Sequence, residues 1–319
     1  MTNKETLDAI RQRLEHAGRI VVTAHMRPDG DAVGSVLALG LALQDQGKQV
    51  QMVLGDGVPS RFHFLTGSDQ VEKKVKGQVD TVIVLDSGDL DRIGHIAQQV
   101  RKVDINIDHH PTNTDFGEIN LVQPNAVSVT QMLAKIMPEL GLEISLPIAE
   151  ALLTGLVTDS QGFGTVNTTP EALRVAADLF KRGADLPEIT FRGLTSKSYD
   201  SVRYWAAGLS KLERDGQMVW ATLTNEDRTL SGYGGWDDAD LVQLLNSIEE
   251  AQVAIVFIEQ NVDKIKISWR AKAGFDVAEV AQQFGGGGHV PASGAVIRGK
   301  MDEVRQKVLQ ATKESLMKN

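Results

Sequence analysis

The sequence contains no cysteine. Disulfides, thiolate nucleophiles and cysteine-ligated zinc are therefore excluded. Aromatic residues make up only 5% of the chain, so its cores must be built mostly from Val, Leu, Ile and Ala. No stretch approaches the roughly 18 consecutive apolar residues of a membrane span. The opening segment, MTNKETLDAIRQRLEHAG, is a charged helical pattern without the apolar centre of a secretory signal. These absences predict a cytoplasmic protein with no membrane partner. Basic residues are not in excess either: the net charge is −9 and the pI about 5.3. Binding a long duplex needs clustered Lys and Arg, so a broad duplex-binding face is not expected. A local site for a short or small anionic ligand stays open, and in so acidic a chain such a site calls for its own cations.

What is present has an ordinary globular balance, with 42% hydrophobic and 24% charged residues among 319. That length predicts two domains, at roughly 100–200 residues each. The first half alternates short apolar runs with helical patterns. Strands are predicted at 18–25, 49–55, 81–88 and 104–110, and helices at 31–47, 127–140, 147–158 and 170–182. Such alternation implies an α/β fold with a doubly wound, mostly parallel sheet, whose ligands collect beyond the carboxyl ends of the strands. A composition change near 184–198 marks a linker. The predicted divisions are 1–185 for the first domain, 186–213 for the linker and 214–319 for a smaller α+β domain. In the second domain a strand at 218–224 precedes a helix at 237–250. Two further strands, 253–260 and 264–272, form an antiparallel hairpin. A helix at 276–284, a strand at 295–299 and a last helix at 301–317 follow.

The first domain carries a set of ligand-type side chains. HMRPDGDAVGS, at 25–35, follows a strand and opens a helix, bringing His25, Asp29 and Asp31 close in sequence. Imidazole with carboxylate suits Mn²⁺, Zn²⁺, Fe²⁺ or Co²⁺ better than Ca²⁺. Gly34 and Ser35 are read as helix-start residues whose backbone N–H groups favour an anion. Asp86 ends the apolar run TVIVLD, at the mouth of the sheet. Asp108, His109 and His110 end DINID in the same way. Asp159 emerges from the nearly all-apolar helix IAEALLTGLVTDS, where an unpaired carboxylate would be costly. Five aspartates and three histidines exceed what one ion needs. Two ions sharing a bridging carboxylate would use them all, and would activate a water for attack on phosphorus.

In the second domain Arg270 lies on a strand, and FGGGGHVPASG follows at 284–294. Glycines let backbone approach a ligand, and Arg offers a planar fork for phosphate. Gly286, Gly287, Gly288, His289 and Ser293 are therefore candidate substrate contacts.

These motifs resemble the DHH phosphoesterase family with its DHH-associated C-terminal domain. The eponymous triplet is Asp108, His109 and His110, and the GGGH run is Gly286 to His289. The resemblance is greatest to the group of bifunctional oligoribonucleases and 3′-phosphoadenosine 5′-phosphate phosphatases. It implies two Mn²⁺ ions, with Mg²⁺ or Co²⁺ as substitutes. His25 and Asp29 would hold the first ion, Asp31, His109 and Asp159 the second, and Asp86 would bridge them. His110 would contact the scissile phosphate and Asp108 would support the cluster. Arg270, His289 and the glycines would grip the far end of a nucleotide across a cleft between the domains. The implied substrates are short single-stranded oligonucleotides or small phosphorylated nucleotides. Cyclic or linear dinucleotide phosphodiesterase is the alternative activity and inorganic pyrophosphatase a weaker one. A homodimer is compatible with the sequence. Ser293 departs from the Ala-Ala-Gly that often follows the GGGH run, which bears on fine specificity.

Overall fold

A computed structural model describes residues 3–261 and 263–317. The chain divides into two compact units, one up to Ser196 and one from Lys197. The first unit contains α1 (Asn3–His16), β1 (Arg19–Thr23), α2 (Gly30–Asp45), β2 (Gln49–Val53), β3 (Thr81–Leu85), β4 (Ile105–Asp108), β5 (Ile119–Val122), α3 (Val129–Glu139), α4 (Leu146–Asp159), α5 (Pro170–Lys181) and α6 (Leu186–Thr190). Its five strands are ordered β2-β1-β3-β4-β5, and all pair in parallel.

The strand sequences explain the sheet. RIVVT and TVIVL are runs of β-branched residues, and all but Arg19 are buried, as a sheet covered on both faces requires. The larger core lies on the side of α2, α3 and α4. A smaller one, of Val21, Val53, Val82, Val84, Ile93, Ile96 and Val103, covers the other face. Helix α2 packs closely on α4 because glycines line the contact. A Cβ on Gly34 would lie 2.4 Å from the Ala151 carbonyl oxygen, and one on Gly155 would lie 2.8 Å from Asp31 Oδ1. Gly34 and Ser35 are thus deep in α2 and buried. They do not form the anion-binding helix start expected from the sequence, because the helix begins four residues earlier, at Gly30.

Strand order reverses beside β1: β2 lies to one side and β3 to the other. At such a point the connections diverge to opposite faces and leave a crevice at the carboxyl edge. His25 follows β1 and Asp86 follows β3. Strand β5 was not anticipated. It is four residues long with only Ile119 and Leu121 buried, so its apolar signal is short.

The second unit contains α7 (Tyr199–Leu209), β6 (Glu213–Asp215), β7 (Met218–Leu223), α8 (Asn225–Ser231), α9 (Leu241–Asn246), β8 (Val253–Asn261), β9 (Lys264–Ala271), α10 (Val277–Gln282), β10 (Gly287–His289), β11 (Ala292–Arg298) and α11 (Met301–Leu316). Its sheet, ordered β10-β11-β9-β8-β7-β6, is mixed, with β7 and β8 the parallel pair. The helix expected at 237–250 shrinks to α9, because Ala239 and Asp240 adopt φ of +50° and +66°. The segment expected as a linker, 186–213, is mostly helical, and the division between units falls within it. Among the described residues, no helix is long and apolar enough to cross a membrane.

Candidate metal centre

The crevice at β1 and β3 gathers the ligand-type residues. His25 is buried, and its Nδ1–H donates to the Met26 carbonyl at 2.8 Å. A carbonyl only accepts, so when the ring is neutral its lone pair sits on Nε2. That atom lies 3.3 Å from Asp86 Oδ2 and 3.8 Å from Asp29 Oδ1. Asp29 caps α2, its Oδ1 accepting from the Asp31 and Ala32 amides at 3.0 and 3.1 Å. Asp31, in the first turn of α2, is held by the start of α3. Its Oδ2 accepts from Val129 N at 2.6 Å, and its Oδ1 from Thr130 N and Oγ1 at 2.9 and 2.7 Å.

Asp86 sits between two groups of ligands. Its Oδ2 faces His25, while its Oδ1 lies 3.5 Å from His109 Nε2. The ring of His109 is oriented as that of His25 is, with Nδ1 on the Ala126 carbonyl at 3.2 Å. Its Nε2 also lies 3.7 Å from Asp159 Oδ2, at the end of α4. A ring whose far nitrogen is fixed by a carbonyl is the usual posture of a metal-binding histidine. Three overlapping sets of three then stand side by side, one of them Asp86, His109 and His110. His25, Asp29 and Asp86 offer ligand atoms within 4.8 Å of one another, and so do Asp31, His109 and Asp159.

The electrostatics describe a site short of positive charge. Burial and then Asp86 push Asp31 up to about 7. Burial and then Asp31 push Asp159 up to about 8. Burial opposes the imidazolium at His25, yet Asp29 and Asp86 outweigh it and raise the ring to about 11. His109 behaves likewise, opposed by burial and lifted by Asp86, Asp31 and Asp159 to about 10. Asp86 resists its own burial and stays far below the ordinary carboxylate range, because His109 and His25 flank it. Protons here do the work that divalent cations would do. The donor chemistry, the spacing and the charge deficit all fit such ions.

His110 shares one of the three sets with Asp86 and His109, and Asp108 stands behind it. His110 Nδ1 donates to Asp108 Oδ1 at 2.7 Å and lies 3.8 Å from Asp86 Oδ1. Asp108 is fully buried and bonds the ring of His110, so its place is behind that histidine. Its other oxygen accepts from Asn113 Nδ2 at 2.6 Å. Sequence reasoning missed Asn113, Thr130 and the Val129 amide. The polar pair Ser128 and Thr130 at the start of α3 was the only signal for Thr130 and the Val129 amide.

In the second unit the glycine run forms a β-hairpin. Gly287, Gly288 and His289 pair with Gly294, Ser293 and Ala292. Gly286 and Gly288 are required there, since a Cβ on either would lie within 2.6 Å of β11 backbone or side chain. Ala292 in turn pairs with Arg270, so His289, Ala292 and Arg270 form one row across three strands. Ala254 flanks Arg270 on its other side. Small neighbours leave room for the guanidinium, whose Nη1 donates to the Trp269 carbonyl at 3.2 Å. Ser293 is not brought together with Arg270. It pairs with Trp269 on the opposite face, is buried, and donates from Oγ to the His289 carbonyl at 2.9 Å.

Comparison with known proteins places this geometry in a family. The DHH family N-terminal domain matches residues 19–156, and the DHHA1 domain matches residues 228–317. The bifunctional oligoribonuclease and PAP phosphatase NrnA of Thermus thermophilus is 36% identical over 306 residues, covering 94% of this chain and 90% of that protein. The chain belongs to the DHH family. An exopolyphosphatase-related protein from Bacteroides fragilis, 26% identical, superposes with a TM-score of 0.91 and covers 98% of each chain. RecJ from Thermus thermophilus, solved in complex with Mn²⁺, has a TM-score of 0.58 at 13% identity. That comparison covers 100% of this chain and 55% of RecJ, and shows the DHH fold. The match to the DHH N-terminal domain contains every ligand-type residue above except Asp159, which lies just past its end.

Proposed function

We propose that this chain is a metal-dependent phosphoesterase that hydrolyses short oligonucleotides and 3′-phosphoadenosine 5′-phosphate, with two Mn²⁺ ions as its cofactors. The observation that carries the reading is Asp86, whose two oxygens face separate histidines 3.3 and 3.5 Å away. One carboxylate thereby serves both ligand sets. His25, Asp29 and Asp86 would hold one ion, and Asp86, Asp31, His109 and Asp159 the other. When bound, such a pair supplies an activated water and offsets charge on the phosphoryl oxygens. The Met26 and Ala126 carbonyls keep the two ligating rings in the tautomer that presents Nε2. The amides of Val129 and Thr130 keep Asp31 from turning away. His110, with Nδ1 committed to Asp108, presents its Nε2–H to the phosphate. As the phosphorus–oxygen bond breaks, its electron pair goes to the leaving oxygen, which takes the proton from His110. Arg270 and His289 recognise a phosphate of the nucleotide. The relation to NrnA over nearly the whole chain supports this substrate class.

The test is a substrate panel with the Mn²⁺-loaded protein: 5′-phosphorylated dinucleotides, 3′-phosphoadenosine 5′-phosphate, cyclic dinucleotides and pyrophosphate. The first two are expected to be turned over fastest. Asp86→Asn is expected to weaken both ions together and to reduce turnover by more than the roughly 100-fold that losing an outer partner costs. A protein with both ions bound that hydrolyses neither of the first two substrates would defeat the proposal.

A further inference from the structure

Behind His110 lies a chain of side-chain amides that the reaction above does not use. Asn113 Nδ2 donates to Asp108 Oδ2 at 2.6 Å and to Asn106 Oδ1 at 2.9 Å. Both of its N–H groups are thus committed. Its own Oδ1 accepts from Asp115 N at 2.7 Å, which fixes which way the amide faces. Asn106 is fully buried in β4, and its Nδ2 donates to the Val84 and Ser87 carbonyls at 3.3 and 3.2 Å. Thr114 N donates to the Gly88 carbonyl at 2.9 Å, tying the same segment to the loop that follows Asp86. A polar residue inside a central strand is costly unless it is fully bonded. Here it is bonded to the peptide beside Asp86 at one end and, through Asn113, to Asp108 at the other.

We propose that Asn113, backed by Asn106, is a positioning residue for phosphoester cleavage: it fixes Asp108 so that His110 keeps its Nδ1–H bonded and aims Nε2 at the leaving oxygen. The inference rests on the hydrolytic reading above. A carboxylate with two free oxygens could rotate, and His110 would turn with it. Pinning Oδ2 by an N–H leaves only Oδ1 for the ring. An aspartate at 113 would keep the shape but face Asp108 with acceptors instead of donors.

The experiment uses the full chain. Kinetics with Mn²⁺ compare two esters, a 5′-phosphorylated dinucleotide and a nucleoside 5′-(p-nitrophenyl phosphate). The nucleoside leaving group needs a proton and nitrophenolate does not. Asn113→Asp and Asn113→Ala are expected to lower kcat on the dinucleotide on the order of 10- to 100-fold. KM should stay within about twofold, and the nitrophenyl ester should be nearly unaffected. Adding Asn113→Ala to His110→Asn should cost almost nothing more, as expected for residues acting through one another. Equal losses on both esters, or additive losses, would overturn the inference. Proton NMR of the Mg²⁺-loaded protein gives an independent reading. A downfield Nδ1–H resonance, absent in His110→Asn, should be lost or shifted in Asn113→Asp. An unchanged resonance there would equally overturn it. Were the wild type inactive on both esters, the substrate reading would fail, and the resonance would still decide whether Asn113 holds His110.

Discussion

Asp86 occupies the left-handed backbone region, at φ +52°, a conformation that costs a non-glycine residue on the order of 1–3 kcal/mol. Its backbone N–H donates to the Ile107 carbonyl at 3.0 Å, extending the β3–β4 ladder one residue and turning the side chain into the crevice. The strained residue is thus the one shared by both ligand sets. The titrating groups around it give a pH dependence of known sign. Asp31 and Asp159 are raised in the fold, so their stabilising share is lost as pH climbs from 3.8 through about 7 and about 8. His25 and His109 are raised too, and theirs is lost as pH climbs from 6.5 through about 11 and about 10. All four act in one direction. Chelator-treated protein should therefore melt lower at about pH 8.5 than at about pH 6, and added Mn²⁺ should raise the melting temperature more at the higher pH. Calorimetry at the two pH values checks this, and a rise in metal-free stability with pH would contradict it.

The α2–α4 contact carries its own prediction at the level of elements. In an open helix, Gly→Ala stabilises by about 1 kcal/mol. At Gly34 the new methyl would meet the Ala151 carbonyl oxygen at 2.4 Å, with backbone of Gly155 behind it at 3.2 Å. Overpacking of this kind costs about 1–3 kcal/mol, so Gly34→Ala should lower stability in urea unfolding despite its better propensity. It should also weaken binding of the ion that Asp31 and Asp159 are proposed to hold, since those residues lie on the two helices being forced apart. The elements differ in how plainly the sequence announced them. β1 and β3 were legible because their buried faces demand unbroken apolar runs. β5 was not, because an edge strand of four residues with Asn120 inside has too little pattern. The helix expected at 237–250 was overestimated, because nothing in WDDAD announces two successive left-handed residues before α9. The glycines of 285–288 read as a ligand-binding nest, whereas two of them are also needed for close strand approach, which only the β11 register reveals. The candidate ligands were legible because each lies at or just beyond one end of a strand or helix. Their supporting partners, Thr130, Asn106 and Asn113, lie on elements whose approach is set by tertiary packing, and no spacing in the sequence reports it.

For the whole molecule, the two units have separate cores. That of the first surrounds the parallel sheet, and those of the second lie on the faces of the mixed sheet. Every residue of the candidate metal centre belongs to the first unit. Ion binding stabilises whatever holds the ion in proportion to the logarithm of its concentration over Kd. Hydrogen exchange with and without Mn²⁺ should therefore show new protection concentrated before Ser196, above all in α2, α4 and the segments after β1, β3 and β4. Protection spread equally over β8 and β9 would contradict this. The net charge of −9 points the same way: the proposed cations would offset the acidity of the crevice.

The order of the donors along the chain has a consequence for biogenesis. His25, Asp29 and Asp86 precede His109, and Asp159 comes last. A nascent polypeptide leaves the ribosome from its amino end, so one half of the centre is synthesised well before the other. Asp31 in the meantime waits for amides of Val129 and Thr130 that have yet to emerge. In the proposed two-ion centre the early donors would be synthesised first, and a cation at Asp31, His109 and Asp159 would have to wait for α4.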